Sequence, residues 1–378
     1  MGNRKMSVGK QTTFIGALLA YLIGSGFATG QETMQFFSGW GSIWACLLVG
    51  VITFFMMYLA YGAYAYAGRT RGYDDVSEIF RLYAGSAGGK VFEAFAWSFN
   101  ASCYMFMVSG FGNVLHQQWG IPIAIGSAIA VIISVITAAA GLNRMIDIIG
   151  RIGPVIVGFT IVVGVISAFT YYPLISDGNT AINSGTVEVT RAGANPILAG
   201  LSFGGCCLLL VSAMVGRMGS ELREYDIKYT HIILSLAAFI FVFGSIVMGL
   251  NHIGNIENSV SAAIPNLLLA NNIFGAVGGL FAIIILVAVY STLCPIIWTC
   301  VSMFIKDENS LKYKLTCVIV GTAVYFVTLY VPYQTLLNYI MTYFGYSGAI
   351  VCGVVVVRYY MIKARDEKEN TSESKQLI

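Results

Sequence analysis

Ten apolar runs follow one another along this chain of 378 residues, and each is about as long as a helix that crosses a bilayer. Only 10% of the residues are charged, whereas soluble globular proteins carry about 25%. Because backbone polar groups must be paired inside a bilayer, runs of this kind are expected to be helical. The sequence therefore predicts an all-α polytopic membrane protein with ten transmembrane helices, over residues 11–37, 40–66, 91–115, 121–141, 146–172, 195–216, 229–250, 276–304, 313–331 and 335–360.

The positions of the basic residues predict the orientation of these spans. With the N-terminus inside the cell, 20 of the 21 Lys and Arg residues fall in cytoplasmic segments, and only Arg191 falls outside. This alternation predicts a protein of the cell membrane with both termini in the cytoplasm. We expect residues 1–10 to form the cytoplasmic N-terminus, residues 11–362 the ten-helix domain, and residues 363–378 a polar and disordered cytoplasmic tail.

The ten spans divide into two sets of five, one over about 11–172 and the other over about 195–360. An odd number of spans per set gives the two sets opposite orientations, as in inverted-repeat transporters. A partly amphipathic stretch follows the second span of each set, at residues 74–90 and 258–274. A five-plus-five inverted repeat is therefore predicted, and the stretch at 258–274 is expected to cap an outer vestibule.

The first span contains three glycines within seven residues, in the motif Gly24-Ser25-Gly26-Phe27-Ala28-Thr29-Gly30. Each glycine weakens a helix by about 1 kcal/mol, so the motif predicts a break in the helix. Backbone groups freed by a break can bind a cation or an anion. The alternative is that the glycines only permit close helix packing. The predicted substrate-binding residues of this motif are Gly24, Ser25, Gly26, Ala28, Thr29 and Gly30.

Two further spans contribute candidate substrate contacts. The sixth span carries a second glycine motif, Leu201-Ser202-Phe203-Gly204-Gly205, at the position that matches the first break, so helices 1 and 6 are both predicted to be broken. Ser202, Phe203 and Gly204 are the predicted contacts there. In the third span Asn100 and Tyr104 lie one turn apart, and Tyr104 is a candidate for bonding a substrate carboxylate, although membrane tyrosines more often serve packing or the interface.

Glu32 is the only carboxylate that falls well inside a predicted span. Ionisable residues in that position are costly and usually functional. Two roles are open from the sequence. The spacing Thr29-x-x-Glu32 is that of a capping box, in which Glu32 would bond an orphan amide at a helix N-terminus. Glu32 is equally a candidate for direct binding of the substrate or of a proton.

Oxygen atoms of the eighth span form a candidate cation site. Ser291 and Thr292 are adjacent hydroxyls, and the Ala288 carbonyl lies one turn earlier. Together with carbonyls of the first break they would form the oxygen-only cage that suits sodium. The alternative is that both hydroxyls bond their own helix backbone. The eight cysteines are interpreted as packing residues and the three histidines as interfacial residues.

At these residues the chain resembles LeuT-fold transporters of the amino acid–polyamine–cation superfamily. The segment GSGFATGQE resembles the YkvI-type family of amino-acid permeases. The resemblance implies a five-plus-five repeat with substrate between the unwound parts of spans 1 and 6. It also implies a sodium ion held by Gly24, Phe27, Ala288, Ser291 and Thr292.

Two positions depart from the pattern that the resemblance implies. Gln31 replaces the side-chain amide that serves a second sodium in some members, and no partners for it are evident in the sequence. Glu32 is unusual near a site that receives a substrate carboxylate, because it would repel an acid and favour an amine or a zwitterion held further out. A second sodium site is therefore not expected.

The combined features predict a secondary active transporter, not an enzyme, that moves a small amino acid or a similar zwitterion or amine together with sodium. Its partners would be the small-molecule substrate and the lipid bilayer, with no nucleic acid and no organic cofactor. Alternating access would move spans 1, 2, 6 and 7 against the other spans. Proton coupling through Glu32 is the alternative within transport. A channel or a membrane sensor is disfavoured, because neither a pore-lining ring nor an appended soluble domain is visible.

Overall fold

The computed structural model describes residues 4–72, 76–139, 153–275, 278–302, 304–305 and 307–376. Within these ranges the regular structure is helical, apart from a single bridge between Arg4 and Tyr225. The α-helices are α1 (Val8–Leu22), α2 (Ser25–Thr29), α3 (Gln31–Phe36), α4 (Ile43–Arg71), α5 (Val76–Trp119), α6 (Ile123–Ala139), α7 (Gly153–Tyr171), α8 (Ile175–Asn183), α9 (Pro196–Glu221), α10 (Ile227–Gly254), α11 (Ile256–Ser259), α12 (Pro265–Phe274), α13 (Gly278–Ser302), α14 (Leu311–Tyr330) and α15 (Tyr333–Gln376). Residues 74–75 of the first amphipathic stretch, 140–141 of the predicted fourth span, 146–152 of the fifth, and 276–277 and 303 of the eighth lie outside the described ranges.

Seven helical segments of the described chain are long and apolar enough to cross a membrane, which agrees with a multi-pass membrane protein. They are Ile43–Arg71, Gly158–Asn183, Pro196–Glu224, Ile227–Gly254, Gly278–Ser302, Leu311–Tyr330 and Tyr333–Glu369. The other predicted spans correspond to the interrupted segment α1–α3, to α5 and to the 17-residue α6. Helix α5 contains a non-helical residue at Gly85. The count of ten spans remains a prediction.

Several helices begin at residues whose side chains satisfy free amides of the first turn. Ser42 accepts a hydrogen bond from the Ala45 amide at the start of α4, and Asn195 accepts one from the Leu198 amide at the start of α9. Pro196 occupies the first turn of α9, where its missing N–H is no loss. Gly72 ends α4 in the left-handed conformation. Local sequence therefore accounts for these helix ends.

Glycines bring α9 close to its neighbours. A β-carbon at Gly205 would overlap the Gly345 carbonyl of α15, and one at Gly219 would overlap the Ala65 backbone of α4. The Ser202 hydroxyl donates to the carbonyls of Met341 and Thr342 in α15, both at 3.0 Å. Small residues at such positions let helix backbones approach inside a bilayer.

The predicted break in the sixth span is wrong for this structure. Helix α9 runs without interruption from Pro196 to Glu221, through the whole motif from Leu201 to Gly205. Its glycines serve the close packing described above, and the backbone hydrogen bonds inside α9 are retained. In this span the glycines therefore permit close helix packing, which was the alternative interpretation of a glycine motif.

The predicted disorder of the C-terminal tail is also wrong for the part that is described. Helix α15 continues as far as Gln376. Asp366 accepts hydrogen bonds from the Tyr66 hydroxyl at 2.8 Å and from Arg71 Nη2 at 2.8 and 2.9 Å. Both partners lie at the end of α4, so a contact between distant segments supports a helix that composition alone disfavours.

Candidate functional site

The first apolar run is interrupted twice. Helix α1 ends at Leu22, and Gly24 has an extended ψ of −169° before the short helix α2. Gly30 then adopts a φ of 90° and separates α2 from α3. Only glycine adopts this φ readily, and a β-carbon at Gly30 would lie 2.5 Å from the Asn266 side-chain oxygen. The second interruption therefore requires a glycine for two independent reasons.

The capping box predicted for Thr29 and Glu32 does not form. Gly30, not Thr29, is the residue before α3, and the Glu32 side chain bonds no amide of the described residues. The Thr29 hydroxyl accepts only a long hydrogen bond, of 3.5 Å, from the Gln31 amide, and it pairs more closely with the Tyr333 hydroxyl of α15 at 2.8 Å. The reason is the extra turn α2, which places Thr29 inside a helix. Of the two roles left open for Glu32, helix capping by this motif is excluded in this conformation.

Glu32 is a buried carboxylate that faces a small cavity beside the break. Glu32 exposes 8% of its surface, and its side chain makes no hydrogen bond or ion pair with any described residue. The centre of a water molecule can occupy about 20 Å³ of this cavity, which is room for about one water. The other lining residues are Leu22, Gly24, Phe99, Cys103, Phe106, Met107, Phe203, Cys206, Cys207, Leu210, Phe241 and Met341.

Aromatic rings and sulfur atoms form most of the cavity wall. Phe203 and Phe241 stack with their centroids 5.9 Å apart, and Phe27 packs on Phe241 at 5.4 Å. None of the lining residues carries a positive charge. The cavity therefore combines one carboxylate with polarizable and aromatic groups, which is an environment suited to a cation and unsuited to an anion.

The predicted substrate contacts lie in different places. Phe203 lines the cavity, whereas Gly204 packs against Met56 and Ser202 bonds α15. Asn100 donates to the Ala96 carbonyl of its own helix at 2.8 Å. Tyr104 pairs with the Ser134 hydroxyl of α6 at 2.7 Å. Neither Asn100 nor Tyr104 is among the described residues that line the cavity, and both side chains bond partners elsewhere.

In the first-span motif, Gly24 lines the cavity and the Ala28 carbonyl accepts a hydrogen bond from Asn266. Ser25 and Gly26 lie in α2.

The predicted sodium ligands come from neighbouring segments. A β-carbon at Gly24 would lie 3.5 Å from Thr292 Oγ1, so the break and α13 are in contact. Ser291 and Thr292 nevertheless donate to the Ala288 carbonyl, at 2.8 and 3.2 Å. The Phe27 carbonyl accepts from the Gly30 amide at 3.1 Å and from Asn266 Nδ2 at 2.8 Å. In this conformation, both hydroxyls therefore bond the backbone of their own helix, as the alternative interpretation predicted.

Three glutamines hold a covering segment over the break. Gln31 donates to the carbonyls of Ala262 and Ala263 at 3.0 Å, and Gln334 donates to Ala262 at 3.2 Å. Gln117 bonds the Ile264 backbone in both directions, at 2.8 and 2.9 Å. We call residues 262–264 the cover segment. Gln31 thus has partners that the sequence did not reveal, because they lie more than 200 positions away.

Sequence reasoning missed Asn266, His252 and Tyr333, which all contribute to the surroundings of the break. His252 was expected at the interface, yet it is fully buried. No local signal separates these residues from ordinary polar residues of a helix end. His252 lies in α10 and Asn266 in α12, and the two side chains meet only because the chain turns back through α11, which lies between these helices.

Two solved structures show what this fold resembles. The nucleobase–cation–symport-1 family transporter Mhp1, in a closed conformation with bromovinylhydantoin bound, matches with a TM-score of 0.53 and 17% identity, over 94% of this chain and 79% of that chain. A variant of the manganese transporter of Eremococcus coleocola matches with a TM-score of 0.55 and 13% identity, over 96% of this chain and 81% of that chain. The chain therefore has the fold of LeuT-type membrane transporters.

Sequence-based comparison adds no family assignment. No protein-family model matches the chain, and no curated protein matches it. The resemblance to YkvI-type permeases remains a prediction.

Proposed function

We propose that this protein is a secondary active transporter that moves a small substrate bearing an amino group, by alternating access around the cavity beside the first-span break. The observation that carries the proposal is Glu32, a buried carboxylate that faces this cavity without a partner among the described residues. The five-plus-five arrangement of ten helices and the relationship to amino-acid permeases belong to this proposal as well.

The charge of Glu32 favours a cationic substrate group. An ionised carboxylate inside a membrane is unfavourable unless it is paired, and translocon-based scales put the central position at about 2.5–3.5 kcal/mol for an aspartate. A substrate ammonium would supply the missing partner. The rings of Phe203 and Phe241 would add cation–π attraction of about 0.5–2 kcal/mol. A substrate carboxylate would find no basic side chain among the described residues of the cavity wall, so an amine or the amino end of a zwitterion fits best.

The cavity has room for only about one water, so substrate must enter in a different conformation. Movement of the predicted bundle of spans 1, 2, 6 and 7 away from the other spans would enlarge it. The cover segment contacts Gln31 at the start of α3 and is also held by Gln117 of α5 and Gln334 of α15. Opening of the cavity next to the cover segment would therefore require these hydrogen bonds to break.

Sodium coupling remains the first candidate for the energy source. The contact between Gly24 and Thr292 favours it, because the resemblance assigns both residues to one sodium site. Binding would require the Ser291 and Thr292 hydroxyls to turn away from the Ala288 carbonyl. Proton coupling is the second candidate. The unpaired carboxylate of Glu32 favours it, because protonation would remove the buried charge.

The proposal is tested with three probes of matched shape: propylamine, 2-aminobutanoate and butanoate. Purified protein is titrated with each, in sodium or in potassium buffer, and thermal stability is recorded. A ligand that binds only the folded protein stabilises it by about 2.7 kcal/mol at a concentration of 100 Kd. We expect stabilisation by propylamine or 2-aminobutanoate and none by butanoate. Stabilisation by butanoate alone would overturn the proposed substrate class.

The coupling ion follows from the same titrations and from uptake into proteoliposomes. Sodium coupling predicts ligand stabilisation in sodium and not in potassium. Proton coupling predicts equal stabilisation in both buffers, together with uptake that depends on an imposed pH gradient. Uptake that depends on neither gradient would exclude secondary active transport.

A further inference from the structure

A buried series of hydrogen bonds joins α10, α11 and α12 to the interrupted first span. Ser259 Oγ lies 3.3 Å from His252 Nδ1, and His252 Nε2 lies 2.9 Å from Asn266 Oδ1. Asn266 Nδ2 lies 2.8 Å from the Phe27 carbonyl and 3.2 Å from the Ala28 carbonyl. The side chains of His252, Ser259 and Asn266 have no exposed surface. We call these three side chains the outer chain.

The direction of every bond in the outer chain follows from its last members. The carbonyls of Phe27 and Ala28 can only accept, so the Asn266 amide nitrogen must donate and its oxygen must accept. His252 Nε2 therefore carries a proton and donates to that oxygen. In neutral histidine Nδ1 is then an acceptor, and the Ser259 hydroxyl donates to it. One tautomer of His252 satisfies the whole arrangement.

Four elements meet in the outer chain. His252 belongs to the end of α10, Ser259 to α11, Asn266 to α12 and the accepting carbonyls to α2. Gly30 makes the approach of Asn266 possible, because a β-carbon there would overlap both its side chain and its backbone. The carbonyl of Phe27 belongs to a short helix of five residues, in which few internal hydrogen bonds exist to replace a lost donor.

We propose that His252 is a positioning residue that fixes the Asn266 amide on the carbonyls of the break, so that α11–α12 and the break open together. Buried carbonyls without a donor are unfavourable, especially inside a membrane. Movement of α12 away from the first span would leave the Ala28 carbonyl without its amide donor and weaken the bonding of Phe27. Helices α11, α12 and α2 are therefore expected to move as one unit. If the protein transports a substrate as proposed, this joint movement would gate access to the cavity. The hydrogen bonds that link α11–α12 to the break do not depend on transport.

Hydrogen–deuterium exchange of the purified full-length protein tests the inference without any substrate. Asn266→Leu and Asn266→Asp remove the donor to the carbonyls, and His252→Phe removes the donor to Asn266. In each variant we expect exchange to rise by about tenfold in peptides covering residues 23–30 and also in those covering 256–274. Peptides of α14 should exchange as in the unchanged protein, which shows that the fold is retained.

His252→Gln is the matched variant that separates positioning from packing. Glutamine keeps a donor at a similar distance from the backbone, so it should restore low exchange in both regions, although it is not aromatic. Increased exchange restricted to residues 256–274 would overturn the inference. So would a His252→Gln variant that behaves like His252→Phe. If amine binding fails while the paired exchange pattern holds, the proposed function is wrong and the positioning role stands.

Discussion

The first and sixth predicted spans carry similar glycine motifs and fold differently. In the first span the backbone is interrupted at Gly24 and at Gly30, and side chains from α12 and α15 bond the interrupted region. In the sixth span the motif around Gly205 stays inside the continuous helix α9. The comparison shows that glycines permit a break but do not cause one. A break forms where another element supplies partners for the freed backbone groups.

The two regions also differ in what their glycines touch. A β-carbon at Gly205 would meet the Gly345 backbone, which cannot move without displacing α15. A β-carbon at Gly30 would meet the side chain and the backbone nitrogen of Asn266, and here the positive φ adds conformational strain, which Gly205 inside α9 does not have. Substitutions at these glycines therefore distinguish a packing glycine from a conformational glycine.

The largest effect is expected from Gly205→Ala. The added methyl group would overlap the Gly345 carbonyl, so we expect a loss of about 3 kcal/mol or more in the free energy of unfolding, or no folded protein. Thermal unfolding in detergent measures the loss. Gly62→Ala in α4 is the control, because its β-carbon would meet nothing within 4 Å and stability should be unchanged or slightly higher. Similar stability of both variants would contradict the close packing of α9 on α15.

A smaller but still large effect is expected from Gly30→Ala. A φ of 90° in a residue other than glycine costs about 1–2 kcal/mol, and displacement of Asn266 adds to this. The same unfolding measurement should show a loss of about 2–3 kcal/mol, with Gly16→Ala in α1 as the control that meets nothing within 4 Å. A neutral Gly30→Ala would mean that the break does not depend on the left-handed conformation.

Glu32→Gln tests whether the carboxylate of the first span binds the amino group of the substrate. We expect the affinity for propylamine or 2-aminobutanoate to fall by about tenfold to a hundredfold, because Glu32 is the one charged side chain among the described residues of the cavity wall. Folding should be retained, since removing an unpaired buried charge does not leave a partner uncompensated. Glu221→Gln, at the exposed end of α9, is the control and should bind normally. Equal affinity of the Glu32→Gln variant would locate the binding group elsewhere.

The smallest effect is expected from the double substitution Ser291→Ala and Thr292→Val. If sodium is the coupling ion, loss of two oxygen ligands should lower the affinity for sodium by about tenfold or more, which corresponds to about 1.4 kcal/mol. The loss is read from the sodium concentration that stabilises the protein. Thr299→Val in the same helix is the control, since its hydroxyl bonds the Pro295 carbonyl on an exposed face. Unchanged sodium dependence would remove the predicted site and leave proton coupling through Glu32.

The sequence by itself was sufficient for the helical multi-pass membrane class, for the placement of most apolar helices and for the interruption of the first span, whereas the role of Glu32 stays a prediction. These features depend on hydrophobicity, on glycine content and on the cost of a buried charge, which are properties of short segments.

Tertiary structure decided the continuity of α9, the helical tail and the partners of the break. Asn266 bonds a carbonyl 239 positions earlier, and Asp366 bonds Arg71 across 295 positions. Nothing in a local window shows that these side chains will meet. A helix breaks or continues according to where its backbone groups find hydrogen-bond partners, and in this protein those partners come from distant parts of the chain.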